Sequence, residues 1–229
     1  KNYSFNAAGL VGWWDLGDSS DNETVANKTL DLSGNGNDGN ITSTTVNTTT
    51  GVVGRSLTFD GSDDYVSVTR TTALESQSYT RAMWCRVGGG GTCFLAQHKA
   101  DPNDLGIAFS YFSLTGVVYH QAGNGGSWPT YNLASDIVIV PGWHHFVALH
   151  NSTHHRIYVD GALNKSIAGG ALVYSINNLW FNRDVNVPAD YSVGTIDDVK
   201  IWNRSLSDAE ISALYNSGCP TCSGGQESN

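Results

Sequence analysis

The 229-residue sequence is poor in charge, glutamate, methionine and long apolar runs, and each shortage excludes something. Only 14% of residues are charged, with 12 Lys and Arg against 21 Asp and Glu and a net charge of −9. Nucleic acid and anionic lipid both require cations that such a chain does not offer, so neither is expected as a partner. No apolar stretch approaches the ~20 residues of a membrane-spanning helix, so membrane insertion is not expected. No signal peptide is visible, which suits a mature or excised form. No Gly-x-Ser-x-Gly elbow and no phosphate-binding loop occurs, so the common nucleophilic and nucleotide chemistries have no starting point. The pairs His144-His145 and His154-His155 do not read as a metal site. Adjacent strand residues point to opposite faces, and the second pair has no Cys or Glu beside it.

Helix is scarce too. One strong signal exists, Ser205-Leu-Ser-Asp-Ala-Glu-Ile-Ser-Ala-Leu-Tyr215. Ser207 with Glu210 three residues later forms a capping box, Asp208 suits the first turn, and Ile211, Leu214 and Tyr215 make a buried stripe. Gly218 follows as a stop. The rest is rich in Gly, Ser and Thr, and strands of five to eight residues recur between turn signals without a central linker. That pattern predicts an all-β sandwich. The strand just before the helix, Gly194-Thr-Ile-Asp-Asp-Val-Lys-Ile-Trp202, carries an anomaly. At period two, Val199 and Ile201 share a face with Asp197, while Asp198 and Lys200 share the other. A carboxylate turned toward a core needs an Arg, backbone N–H groups or a metal to neutralise it.

Four cysteines and the sequons set the compartment. Cys85 and Cys93 flank Arg-Val-Gly-Gly-Gly-Gly-Thr, which reads as a tight hairpin with a disulfide across it; Cys219 and Cys222 read as a small terminal disulfide. Asn-x-Ser/Thr triplets begin at Asn2, Asn22, Asn27, Asn40, Asn47, Asn151, Asn164 and Asn203. That is about twice the number chance supplies, which points to a glycosylated extracellular or cell-surface protein.

Two loops are candidates for binding. Asp31-Leu-Ser-Gly-Asn-Gly-Asn-Asp-Gly-Asn40 concentrates side-chain oxygens in a tight Gly-rich turn, as hard-cation sites do, although no Glu closes it as an EF-hand would. An Asx-turn loop without an ion accounts for it equally well. The Gly-rich loop Ala122 to Tyr131 places Trp128 where no core needs it, with Pro129 and Tyr131 beside it. Such an indole either stacks on the apolar face of a sugar ring or anchors its own loop; Asn124 and Asn132 are hydrogen-bonding companions.

Six segments, in register, carry a resemblance. They are Leu10-Val-Gly-Trp-Trp, Asp31-Leu-Ser-Gly-Asn-Gly-Asn-Asp-Gly, Leu57-Thr-Phe-Asp-Gly-Ser-Asp-Asp-Tyr-Val, Gly142-Trp-His-His-Phe-Val-Ala, Arg156-Ile-Tyr-Val-Asp-Gly, and Gly194 through Ile211. Together they resemble the laminin-G-like domain of the concanavalin A-like lectin/glucanase superfamily. The resemblance implies a jelly roll of two curved antiparallel sheets with one short C-terminal helix, spanning residues 10–217. A polar leader (1–9) and a Cys-containing tail (218–229) would flank it. It also implies a structural Ca²⁺ held by Asp197, with Asp31 and Asn35 brought near it. Glucanases of this superfamily carry Glu-x-Asp-x-x-Glu on one strand, and Glu23, Glu75, Glu210 and Glu227 supply nothing of the kind, so no catalytic residue is expected. The expected function is non-catalytic binding of a glycan or a glycosylated surface protein. The alternative is a structural module that meets copies of itself in a glycosylated cell-surface assembly.

Overall fold

A computed structural model of the chain describes residues 5–16, 27–42, 47–88, 92–95, 106–112, 115–125, 129–174, 178–184 and 190–218. In chain order the strands are β1 (Leu10–Trp14), β2 (Lys28–Thr29), β3 (Gly39–Thr42), β4 (Asn47–Thr50), β5 (Arg55–Asp60), β6 (Tyr65–Val68), β7 (Ser78–Val87), β8 (Cys93–Leu95) and β9 (Ile107–Phe112). They continue as β10 (Val117–Ala122), β11 (Tyr131–Ala134), β12 (Gly142–Asn151), β13 (His154–Val159), β14 (Ala162–Ala168), β15 (Leu179–Phe181), β16 (Arg183–Asp184), β17 (Asp190–Tyr191) and β18 (Val193–Trp202). One helix, α1 (Asp208–Gly218), follows.

The architecture is the expected all-β sandwich. The large sheet runs β14-β13-β12-β7-β18-β5-β4, with β1 added beside β18. The facing layer is divided into two four-stranded sheets, β11-β10-β9-β8 and β15-β6-β3-β2. Leu57, Phe59, Met83, Phe146, Ala148, Ile196 and Ile201 from the large sheet meet Val66, Val68, Phe109, Tyr111, Val118, Leu179 and Phe181 from the small ones in one core. Apolar burial of that kind stabilises by roughly 25 cal/mol per Å².

The outer face of the large sheet is apolar as well, because α1 covers part of it. Ala82, Val147, Leu149, Tyr158 and Trp202 pack against Leu206, Ile211 and Leu214, and Tyr215 stacks on Trp84 at 5.5 Å. The capping box forms as read: Glu210 N donates to Ser207 Oγ and Ser207 N to Glu210 Oε2. Arg204 grips both oxygens of Glu210, and that contact is the main reason its pKa falls to about 2. Residues 5–9 pack onto the same face, with Phe5 edge-on to Trp202 and Trp202 Nε1 donating to Asn6 O.

The segment that reads as a hairpin, Cys85 to Cys93, is a corner between sheets, and so is the turn after β5. β5 lies in the large sheet and β6 in a small one; β7 and β8 separate in the same way. A Gly-rich turn permits both outcomes, so only tertiary packing decides. The Cys85–Cys93 disulfide therefore joins the two layers rather than the two arms of a hairpin. Replacing both cysteines by alanine is expected to lower unfolding free energy by about 2–3 kcal/mol, the loop-closure value for so short a loop. Urea unfolding of the double variant checks this; an unchanged midpoint would show that the bridge does not constrain the unfolded chain.

Candidate functional site

β18 organises the molecule's ionisable centre. Along one edge it pairs with β7; along the other, Val193–Ile196 pair with β5 and Val199–Trp202 with β1. Asp197 and Asp198 fall at the changeover. The pairing with β7 shifts register there, and Asp198 takes a positive φ of 50°. This bulge resets the alternation: Ile196, Val199 and Ile201 all enter the core. Asp197 therefore does not share a face with Val199 and Ile201, contrary to the period-two expectation.

Both carboxylates are nonetheless buried, 0% exposed for Asp197 and 5% for Asp198. Asp197 Oδ2 accepts N–H bonds from Val52 at 2.7 Å and Val53 at 2.9 Å, in the turn joining β4 and β5. Its Oδ1 has no hydrogen-bond partner among the described residues. Desolvation outweighs those two bonds and pushes its pKa up to about 8. Asp198 instead accepts from Trp13 Nε1 and pairs with the buried ammonium of Lys200.

The Asp31 loop serves a different purpose in the fold. β1 pairs with β18 on one edge, and the loop's side chains satisfy its other edge. Asp31 Oδ1 accepts from Trp13 N and Ser33 N, and Oδ2 from Asn37 N. Asn35 Nδ2 donates to Leu10 O at 3.1 Å, and Asn37 Nδ2 to Val11 O at 2.7 Å. Asp31 and Asn35 are thus held together by the loop, while Asp197 is bound to the β4–β5 turn; the two groups share no hydrogen-bond partner. Asp60, Asp63 and Asp64, at the corner after β5, form a grouping of carboxylates within 4.8 Å that strand reading passed over.

Of the loop candidates, Trp128 lies outside the described residues, as do Cys219, Cys222, Asn2 and Asn22, and nothing of the Asn47 side chain is described. Asn124 exchanges hydrogen bonds with Thr130, its Oδ1 accepting at 2.8 Å, and so closes the loop. Tyr131 stacks on His155 at 4.4 Å. Among the sequons, Asn27, Asn40 and Asn203 are exposed and Asn151 and Asn164 half-buried.

His155 opens onto a cluster the sequence did not announce. It stacks on His150 at 4.3 Å and meets His120 edge-on at 5.0 Å. Tyr79 Oη lies 2.6 Å from His120 Nε2, and Gln77 O lies 2.6 Å from His150 Nδ1. All three imidazoles are 0% exposed. Burial lowers each pKa, that of His155 to about 3. The rings lie against one another as packing elements.

A second set of polar side chains faces outward. On the outer face of the large sheet, a groove of ≈ 650 Å³ is lined by Thr58, Arg86, Gly142, Gly194 and Thr195, with Pro141 and Val193 as apolar rim. Register places Thr58, Thr195 and Arg86 side by side across β5, β18 and β7, and Trp143 of β12 directly beyond Arg86. Directly opposed residues share a face. Thr58 Oγ1 and Thr195 Oγ1 are 3.0 Å apart. The groove therefore offers hydroxyls and a cation, with a half-buried indole flanking it.

Sandwich, outer helix and outward-facing groove define a lectin-like β-sandwich. The family model described as concanavalin A-like lectin/glucanases superfamily, of laminin G type, matches residues 60–212. The chain belongs to that superfamily. No curated protein matches it in sequence. Among solved structures, it is similar to the binding domain of Paraclostridial Mosquitocidal Protein 1, with TM-score 0.71, 15% identity, and 92% of this chain and 52% of that one covered. It is likewise similar to the botulinum neurotoxin serotype D binding domain (TM-score 0.70, 15% identity, 93% and 52% covered). A third is the botulinum neurotoxin DC binding domain solved in complex with rat synaptotagmin II (TM-score 0.67, 16% identity, 94% and 53% covered). The chain spans about half the length of these structures, and the likeness is one of fold.

Proposed function

We propose that this protein is a non-catalytic, extracellular carbohydrate-binding or adhesion domain whose partner is a glycan or a glycosylated surface protein. The observation that carries this reading is the composition of the outer-face groove: hydroxyls, one guanidinium and an adjacent indole recognise a polyol surface but supply no acid–base pair. Superfamily membership supports it. So does the description of a related fold, the botulinum neurotoxin DC binding domain, as a complex with SialylT. The buried disulfide and the exposed sequons at Asn27, Asn40 and Asn203 suit an oxidising, glycosylating compartment.

A structural calcium ion belongs to the same proposal. The partnerless, buried Oδ1 of Asp197 has the chemistry of a hard-cation ligand. Asp31 and Asn35 would join it only if their loop exchanged some of its present hydrogen bonds with β1. Bound there, calcium would neutralise the carboxylate and tie the β4–β5 turn to β18.

A broad glycan array, probed with the domain in calcium and again in chelator, tests the function. Selective binding to a defined glycan class is expected in calcium. Binding to no glycan in either condition would overturn the carbohydrate reading.

A further inference from the structure

The net charge of −9 makes an unpaired cation informative. Arg70, Arg156, Lys165, Lys200 and Arg204 each face a carboxylate: Glu75, Asp208, Asp136, Asp198 and Glu210 respectively. Arg86 has no such partner among the described residues and is exposed in the groove. Strand pairing fixes its place. Thr195 sits between Arg86 and Thr58, and the two hydroxyls are already within hydrogen-bond distance of each other. Asp60, two residues beyond Thr58 on β5, uses Oδ1 to accept the N–H of Ser62. A guanidinium beside this hydroxyl pair matches an oxyanion: the fork binds two oxygens, and the hydroxyl that accepts from its neighbour keeps its one O–H to donate a further bond. Trp143, half-buried, pairs with Arg86 on the side away from Thr195, so an aromatic ring borders the subsite.

We propose that Arg86, Thr195 and Thr58 form a subsite for the anionic group of an acidic sugar, a carboxylate or a sulfate ester. The proposal rests on the carbohydrate-binding reading and narrows it to negatively charged glycans. The chain's overall acidity works against such a ligand at long range. Beyond the ~8 Å screening length at physiological salt, however, that repulsion is small, and the contact with Arg86 decides.

The test compares wild type with Arg86→Gln and Arg86→Lys on matched oligosaccharides: carboxylated, sulfated, and the same sugars with the anionic group removed. Wild type is expected to prefer the charged members, with affinity falling as salt is raised. Arg86→Gln should lose about ten-fold or more on them, because a charge-assisted bidentate contact is removed. Arg86→Lys should recover part of the loss. The carboxylated and sulfated arms tell the two sources of the oxyanion apart. Since Arg86 is exposed, both variants should melt like wild type. If wild type prefers the neutral sugars, or if Arg86→Gln binds the charged ones unchanged, the subsite proposal falls while the carbohydrate reading stands. If wild type binds no sugar, both fall.

Discussion

A His155→Leu variant is expected to keep about 3 kcal/mol more of its stability than wild type does as the pH is lowered from 7 to 4. His155 is fully buried between His150, His120 and Tyr131, and neither ring nitrogen has a hydrogen-bond partner among the described residues. The groups facing the cluster are Tyr79 and the buried Arg81 on β7, Tyr131 on β11, Tyr174, and the backbone of Arg156; Glu75 lies further off. Among the described residues no carboxylate sits against the rings to receive an imidazolium, and Arg81 opposes one. Burial is the first cause of the lowered pKa of His155, and the neighbouring His150 the second. The folded pKa, about 3, lies below the unfolded value near 6.5, so between those values the unfolded chain binds more protons than the folded one. Stability therefore falls as pH falls through that window, by up to roughly 3 kcal/mol at pH 4 for this one ring. His120 and His150 act in the same direction, and the three titrate as a coupled set rather than additively. His155→Leu will cost something at pH 7, because Gly169 packs so closely that a Cβ there would lie 2.2 Å from the His155 ring. The diagnostic quantity is the slope of unfolding free energy against pH from 4 to 6.5, measured by urea titration. Equal slopes in variant and wild type would show that the cluster does not govern acid sensitivity.

How much of this was legible in the sequence depends on whether a feature is local. The capping box at Ser207 and Glu210 and the helix stripe at Ile211 and Leu214 each follow from residues a few positions apart, and each is present. The Cys85–Cys93 bridge was readable for the same reason, but its role was not, because a short Gly-rich turn serves a hairpin and a sheet-to-sheet corner alike. Asp197 was recognised as anomalous for a reason the fold revises. A one-residue bulge at Asp198 inverts the face assignment, and nothing in Asp197-Asp198-Val199 announces a bulge that arises because β18 exchanges one partner strand for another. Arg86 and Thr195 are 109 positions apart and become neighbours only through register. His120, His150 and His155 lie on three strands from two sheets. Neither constellation has a sequence signature, since both are assembled from single outward or inward residues of otherwise ordinary strands.

Asp197 is also where calcium should act with the largest effect, and the same residue gives the ion a pH signature. Without calcium the carboxyl is expected to be protonated at neutral pH, its pKa raised to about 8 chiefly by desolvation. In that state the folded protein holds a proton that the unfolded chain releases above about pH 4. Stability contributed by this group therefore declines as pH rises from about 4 to about 8, by up to about 5 kcal/mol. The sign is opposite to that of the histidines, so the two contributions separate only by substitution. Asp197→Asn keeps an oxygen for the Val52 and Val53 N–H groups and removes the titration; its apo stability should not decline across pH 6–8 as wild type's does. Calcium should reverse the wild-type decline, because the ion replaces the proton on Oδ1 and favours the carboxylate. Its stabilisation, RT ln(1 + [Ca²⁺]/Kd), should then grow with pH and be larger at pH 8 than at pH 5. Thermal melts of both proteins in calcium and in chelator, at those two pH values, distinguish the outcomes. A calcium shift present in wild type and lost in Asp197→Asn places the ion on this residue. A shift that survives the substitution moves it elsewhere, with the Asp60, Asp63 and Asp64 corner as the next set of carboxylates to remove. No shift in wild type leaves Asp197 as a buried neutral acid whose role is to hold the β4–β5 turn against β18.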